Sequence, residues 1–472
     1  MGQEVSHSHF SSEESASFEK HLLGETRLLK QKMQVGEFSS HEAMGGFEVE
    51  AWLVDKSLRP APVNDEFFKL FNNPLATPEL ARFNIELNNT PLALKGSALA
   101  DFEKELRAVF EDADKAAEKL GAHILLTGIL PTAVADDFCL ENMSAMKRYK
   151  ALNKIVVDAR NNEPLELNIQ GESHFQLTKH SVMIEAATTS FQIHLQTPWQ
   201  QAHLYYNAAI IASAPIMAIA GNSPLLFGKK LWHETRIPLF EQAVDTGSGK
   251  PRVSFGSGYA EQSISECFEE NVRDFPVLLP MNFDSNAEDF KHLSLHNGVI
   301  WRWNRPLIGF DTDGTPHVRI EHRILPAGPT ITDMMANAAF FYGLTQSLME
   351  QITIQGKMPF KTAKNNFYQA AQFGLKANIE WDNKSYAAES LQQLIVEKLI
   401  PLAELGLQKL GIEQDSIEHY LNIIKKRASN GQTGAVWQLD HLEYVDGDLH
   451  KLTADYMHQQ HLGNPVHSWP HL

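Results

Sequence analysis

Thiols are scarce in this chain of 472 residues: Cys139 and Cys267 are the only two, and they lie far apart. That excludes a disulfide framework and makes a reducing cytoplasm the simplest setting. Neither cysteine has His or Asp neighbours arranged as a nucleophile requires. Positive charge is also in short supply. With 41 Lys and Arg against 58 Asp and Glu, the formal charge is −17, which argues against nucleic acid or an anionic membrane as partner. The most apolar stretch, Ala208 to Ala220, is too short to span a bilayer, contains Pro215, and reads as a buried helix. No basic region followed by an apolar run opens the chain, so no secretory leader is expected. Gly2 and Ser6 fit an N-acylation pattern, but the pattern is short and nothing basic follows to reinforce it, so no acylation is expected.

Internal repeats and low-complexity linkers are missing too. Ser11-x-x-Glu14 reads as a capping box opening a helix that runs to about Gln34. Strands are expected at 44–54, at Arg82–Asn88 and at His123–Leu130, and helices at Ala98–Leu120 and 140–158. A strand around His194 stops at Pro198, followed by a long buried helix closed by Gly221. Helices from about Ser385 to Gly411 and on to about Lys426 make the last third mostly helical. Residues 1–380 are read as one domain and 381–472 as a helical extension packed on it. Gly247-Ser248-Gly249-Lys250-Pro251 has the wrong glycine spacing for a phosphate loop and reads as a flexible active-site loop. His450, His458, His461, His467 and His471 read as an exposed polar tail rather than a metal site.

What is present is a set of four alternating segments with unusual polar positions: Phe47-Glu48-Val49-Glu50, Asn84-Ile85-Glu86-Leu87-Asn88, Gln192-Ile193-His194-Leu195-Gln196 and Arg319-Ile320-Glu321-His322-Arg323. Residues two apart in a strand share a face. One face would then carry Glu48 and Glu50, then Asn84, Glu86 and Asn88, then Gln192, His194 and Gln196, then Arg319, Glu321 and Arg323. A sheet with one wet face also alternates. Glutamate is, however, depleted in strands, and two glutamates spaced i, i+2 repel unless cations lie between them. Oxygen-rich sets of this kind suit Mg2+, and the single histidine tilts the set toward Mn2+ tolerance.

In this order the four strands resemble those of the glutamate–cysteine ligase family and its carboxylate–amine ligase relatives. Gly46-Phe47-Glu48-Val49-Glu50 is similar to that family's opening G-x-E-x-E strand, and Ile85-Glu86-Leu87 with Thr90-Pro91 to its second acidic strand, with one residue inserted. His194 with Gln196 resembles its H-x-[NH] strand, and Ile320-Glu321-His322-Arg323 its I-E-x-R strand. Asn222-Ser223-Pro224 with Gly228, and Asn365 to Leu375, match two further short segments. The similarity runs from about residue 44 to 375. Departures at Asn88-Asn89, at Gln196 and at Gly256-Ser257-Gly258-Tyr259 leave the amine substrate open.

The resemblance implies an α+β fold related to glutamine synthetase, with a curved, mostly antiparallel sheet forming a funnel-like active site and helices on its convex side. It implies ATP-dependent formation of a γ-glutamyl amide through a γ-glutamyl phosphate, with cysteine as the first choice of amine and γ-glutamylcysteine as product. Glu48, Glu50, Glu86, His194 and Glu321 would hold Mg2+ or Mn2+, and Arg323 would stabilise the transferring phosphoryl group. Arg319 shares that face and joins as a second ATP-phosphate contact. Arg236 is assigned to the glutamate α-carboxylate, since a planar fork matches a carboxylate; its bland alternative is a surface arginine paired with Glu234 or Glu241. Arg148 and Tyr149 would line the substrate side. Oligomeric state is not legible. Two rivals stand beside this reading: a metal-dependent hydrolase using the same Glu/His wall, which needs neither ATP nor the two arginines, and a descendant that binds without turnover, which should have lost a ligand.

Overall fold

The computed structural model describes residues 10–247, 249–382, 384–387 and 389–470. Gly2, Ser6, Ser248 and His471 lie outside the described residues. The chain builds around a sheet whose eight strands, among the described residues, we label β1 (Met44–Asp55), β2 (Ala76–Pro78), β3 (Asn84–Asn88), β4 (Leu92–Ala93), β5 (Ala122–Leu125), β6 (Ser190–Thr197), β7 (Asn304–Phe310) and β8 (Pro316–Pro326). The path β7-β8-β6-β1-β3-β2 is antiparallel at every step, with β4 and β5 also paired to β1. The sheet curls strongly into a half barrel, as the family resemblance implied.

The apolar face is covered by helices. Phe47 of β1 packs edge-on against Phe102 of the Ala98–Glu118 helix at 4.9 Å and lies 5.1 Å from Phe191 of β6. His322 of β8 turns to this side as well, stacking on Phe341 of the Ile331–Gln355 helix at 4.2 Å. Behind these lies the apolar Ala202–Ala220 helix, buried from end to end apart from its first turn. Together with the turn before it, that helix is long and apolar enough by length and composition to cross a membrane, so length alone did not exclude a span. Burial decides the matter: 89% of the window lies inside the fold. Gly45 is required by this packing, because a Cβ there would come within 2.7 Å of both Leu94 and the Tyr342 hydroxyl.

Several elements differ from the sequence expectation for identifiable reasons. The first helix spans Ser12–Val35 with the Ser11/Glu14 capping box in place. The expected 140–158 helix begins only at Lys147, because Ser144 donates its N–H to Leu80 O at 2.9 Å and Met143 bridges Ala81 in extended form. The strand expected to reach Leu130 stops at Leu125, since the Leu126 N–H goes instead to Gln460 Oε1 at 2.7 Å. The helix expected from Ser385 is preceded by a hairpin, Asn378–Trp381 with Lys384–Ala387, and then runs as Glu389–Leu394, a π turn at Ile395–Leu399 and Ile400–Leu410. Pro401 withholds an N–H, and the wider turn immediately before it absorbs the mismatch. The histidine-rich C-terminus is not an exposed tail over its described part: Leu452 and Tyr456 anchor a packed helix, Leu449–Leu462.

The C-terminal helices share core and hydrogen bonds with the rest. The Ile400–Leu410 helix crosses Ile331–Gln355 so closely that a Cβ on Gly406 would collide with the Gly343 carbonyl. Arg427 lies 2% exposed and donates to Asp333 Oδ1 at 2.6 Å, to Asn337 Oδ1 at 2.6 Å and to Ile219 O at 3.2 Å. Breaking such a buried pair strands one charge, at a typical cost of about 3–5 kcal/mol. Arg427→Met is therefore expected to lower stability by about that amount in urea unfolding, and a loss under about 1 kcal/mol would show that the pair does not tie these helices down.

Candidate active site

Strand register lines up the polar positions into a single wall. Glu48 pairs with Gln192 on one side and Asn88 on the other, Glu50 pairs with Glu86, and His194 lies between Gly46 and Glu321. The strand parity read from the sequence therefore holds across four strands. At its centre Glu48 Oε1 lies 3.1 Å from His194 Nε2. Ligand atoms of Glu48, His194 and Glu321 all fall within 4.8 Å of one another, with all three residues buried. The fold holds His194 firmly: Tyr342 donates its hydroxyl to the His194 carbonyl at 3.0 Å, and Arg319 Nε–H donates to ring Nδ1 at 3.1 Å. With Nδ1 accepting that bond, the neutral ring carries its proton on Nε2, which is buried and faces the Glu48 and Glu321 carboxylates. The set fits a divalent cation when Arg319 releases Nδ1 and the proton moves there, leaving the Nε2 lone pair to the metal.

A second group of carboxylates adjoins the first. Glu50 accepts from Ser190 N at 2.7 Å and Gln192 Nε2 at 2.9 Å. Glu86 accepts from Asn88 Nδ2 at 2.9 Å and Thr77 Oγ1 at 3.1 Å. Glu79, on the turn after β2, joins them through the Tyr149 hydroxyl, which donates to its Oε2 at 3.3 Å. Burial pushes all three carboxyls above the ordinary range, and for Glu79 and Glu86 the neighbouring carboxylates push further. Glu185 is raised to about 8, by burial first and by the charge of Glu50 second. Arg148 donates to the Tyr149 hydroxyl at 2.6 Å and sits over its ring at 4.6 Å, so the two expected substrate-side residues do reach this edge of the wall.

Arginines hold the opposite end. Arg305 of β7 forks onto Glu321 through Nε at 2.8 Å and Nη2 at 3.1 Å. Arg323 Nη1 reaches Glu321 Oε2 at 2.9 Å and also donates to Gln192 Oε1. Burial works against ionisation of Glu321, but these two guanidiniums hold its carboxyl well below the usual range. Arg323 owes its aim to a β-bulge. His322 still pairs with Ile193 and Leu325 with Phe191, so Arg323 and Ile324 together stand opposite Gln192. The bulge carbonyls are received by Arg236, whose Nη1 donates to Ile324 O at 3.1 Å and Nη2 to Arg323 O at 3.4 Å. Its Nη1 also pairs with fully buried Glu234 at 3.0 Å. Arg236 is thus not a surface residue: it is 3% exposed and braces the strand that carries Arg323. Gly128 makes room for it, since a Cβ there would lie 2.9 Å from Arg236 Cδ.

Three wall residues escaped the sequence reading. Glu79 follows Thr77-Pro78 with no alternation to mark it, Glu185 lies in a 3-10 segment, and Arg305 precedes Pro306, which masks the strand in the sequence. Only Arg305 left a signal, as a lone basic residue one step from a strand-forming run. The loop at Gly247 and Gly249 lines a surface cavity with Arg160, Glu166, Glu241 and Asp245 rather than the wall.

The raised carboxyls make a signed prediction. An acid whose pKa rises on folding keeps its proton in the folded chain while the unfolded chain sheds it, so stability falls as pH climbs from roughly 4 toward 8. Glu185→Gln should therefore stabilise the protein more at pH 8.5 than at pH 5, by about 1 kcal/mol or more in denaturant unfolding. An equal effect at both pH values would rule this out.

No curated protein sequence matches the chain. Among solved structures, the fold resembles glutamate–cysteine ligase from Francisella tularensis in complex with AMP, with a TM-score of 0.57 at 13% identity over 92% of this chain and 91% of that one. A bifunctional glutathione synthetase from Pasteurella multocida matches with a TM-score of 0.53 at 12% identity, over 91% of this chain and 54% of that one. At such identities the likeness is one of fold. The sequence profile of glutamate–cysteine ligase family 2 covers residues 44–455, and on that ground the chain belongs to this family of ATP-dependent carboxylate–amine ligases.

Proposed function

We propose that this ligase joins the γ-carboxylate of glutamate to an amine, with cysteine as the first choice and γ-glutamylcysteine as the product. The observation that carries the reading is the meeting of Glu48, His194 and Glu321 beside the Arg305/Arg323 pair on one buried wall. A hydrolase has no use for the arginine end, and a non-catalytic descendant has no reason to keep all five expected ligands.

In this proposal Glu48, His194 and Glu321 hold one Mg2+ (or Mn2+), and Glu50, Glu86 and Glu79 another. Bound there, the cations would neutralise phosphate charge and bring ATP and the glutamate carboxylate together. Arg323, held in place by the bulge, donates to the transferring phosphoryl group, and Arg319 to a neighbouring phosphate. Phosphoryl transfer depends on positioning and charge neutralisation, and the hydrogen bonds on Arg323 and His194 supply the first. Arg236, expected to take the glutamate α-carboxylate, has its fork spent on Glu234 and the bulge carbonyls and would act by bracing Arg323; the amine is assigned to the Arg148/Tyr149 edge. The acidic chain would act on small molecules and ATP in the cytoplasm, without nucleic acid or membrane. Residues 1–380 would form the catalytic domain and 381–472 its helical extension.

Two predictions follow from the site. With ATP, Mg2+ and glutamate, ADP release should depend on an added amine, and mass analysis should show a γ-glutamyl amide. Turnover with another amine in place of cysteine would move the specificity, and no ATP cleavage with any amine would overturn the reading. Arg323→Lys keeps the charge but loses the planar fork, so kcat should fall by about 10²-fold or more. An unchanged kcat would remove Arg323 from the reaction.

A further inference from the structure

A second set of metal-type side chains lies away from the wall. Asp114 and Glu118 are four residues apart on the Ala98–Glu118 helix and so share a face. His123 follows in β5, and its Nδ1 lies 3.8 Å from Asp114 Oδ1. Donor atoms of Asp114, Glu118 and His123 fall within 4.8 Å of one another. That His123 nitrogen is shielded from solvent and has no hydrogen-bond partner. A fourth group arrives from the last turn of the Leu449–Leu462 helix, where His461 Nε2 lies 3.3 Å from Asp114 Oδ2.

The orientation of His461 matters most. Its Nδ1 lies 2.7 Å from the Met457 carbonyl, which can only accept. Nε2 faces a carboxylate oxygen of Asp114, which also can only accept, so the metal-free ring carries a proton on each nitrogen, and a cation binding there takes the place of the Nε2 proton. A carbonyl fixing the far nitrogen is the usual support for a metal-binding imidazole. Asp114 is likewise oriented from behind, accepting the Ile124 N–H at 2.8 Å.

We propose that Asp114, Glu118, His123 and His461 form a binding site for a first-row transition cation of the Zn2+ type, separate from the catalytic wall. Two imidazoles and two carboxylates suit four-coordinate Zn2+ or Co2+, whereas Mg2+ prefers an all-oxygen shell with waters. β5 pairs with the far end of β1, where His123 stands opposite Val54. Val54 is six residues from Glu48, or roughly 20 Å along the strand. The site spans the seam already joined by Gln460, which accepts from Leu126 N at 2.7 Å and donates to Ile124 O at 3.1 Å. A cation there clamps the C-terminal helix to the edge of the catalytic sheet.

The test uses the full chain carrying His194→Ala, so that the wall does not compete, in saturating Mg2+. Chelator competition with Zn2+ and the visible bands of Co2+ report affinity and geometry, and thermal unfolding reports the clamp. One tight Zn2+ per chain is expected, with four-coordinate Co2+ bands and a higher Tm. Glu118→Gln, a change at an exposed helix end, should weaken Zn2+ at least tenfold. His123→Gln with His461→Gln should abolish the bands and the Zn2+-dependent Tm gain, read against that variant's own metal-free Tm, while leaving ligase turnover unchanged when His194 is restored. Equal Zn2+ affinity in the double variant, or no tight Zn2+ at all, would overturn the proposal and leave a surface ion-pair cluster.

Discussion

Everything in this molecule is arranged around the cost of burying carboxylates of like charge on one face of a sheet. Glu48, Glu50, Glu86 and Glu321 project to the same side, joined by Glu79, and water that would have screened them is largely excluded. Each carboxylate taken from water loses solvation worth several kcal/mol unless something replaces it. The protein replaces it unevenly. Glu321 has two guanidiniums and ionises readily, whereas Glu50, Glu79 and Glu86 have hydroxyl, amide and backbone donors and hold their protons more tightly. That imbalance leaves one end of the wall compensated and the other short of positive charge. In the proposed function, divalent cations carrying a nucleotide and a carboxylate substrate would supply what is missing.

The scaffold serves that wall from its apolar side. Tyr342 reaches through the sheet to fix the His194 backbone, Gly45 lets it approach, and Arg236 receives the carbonyls freed by the bulge at Arg323. The C-terminal helices belong to the same body. Asn222, at the end of the buried Ala202–Ala220 helix, donates to the Tyr456 hydroxyl at 2.8 Å and accepts from Gln438 Nε2 at 2.8 Å. Arg427 closes the same contact from the other side through Asp333.

The wall was legible in the sequence because strand parity is a strict rule: once Glu48 faces inward, Glu50 must too, and the same holds for His194 with Gln192. The capping box at Ser11 was legible for the same reason, being local. What escaped depended on partners distant in sequence. Arg305 is defined by its register against Glu321, and Glu79 by a turn packed under Tyr149. The bulge at Arg323 exists only in the pairing of β8 with β6. Asn89, which seemed to widen a motif, takes the Phe47 N–H on its side chain at 2.5 Å. The helix expected from Ser385 shows the converse: periodicity continued through Pro401, but the missing N–H reshaped the turn.

The central claim is that this wall activates a carboxylate by phosphoryl transfer. Its most direct test is to run turnover with glutamate labelled by 18O in the γ-carboxylate and to weigh the released phosphate. Passage through a γ-glutamyl phosphate moves one labelled oxygen into inorganic phosphate at each turnover. Turnover that leaves the phosphate unlabelled, or that places the label in AMP, would contradict it.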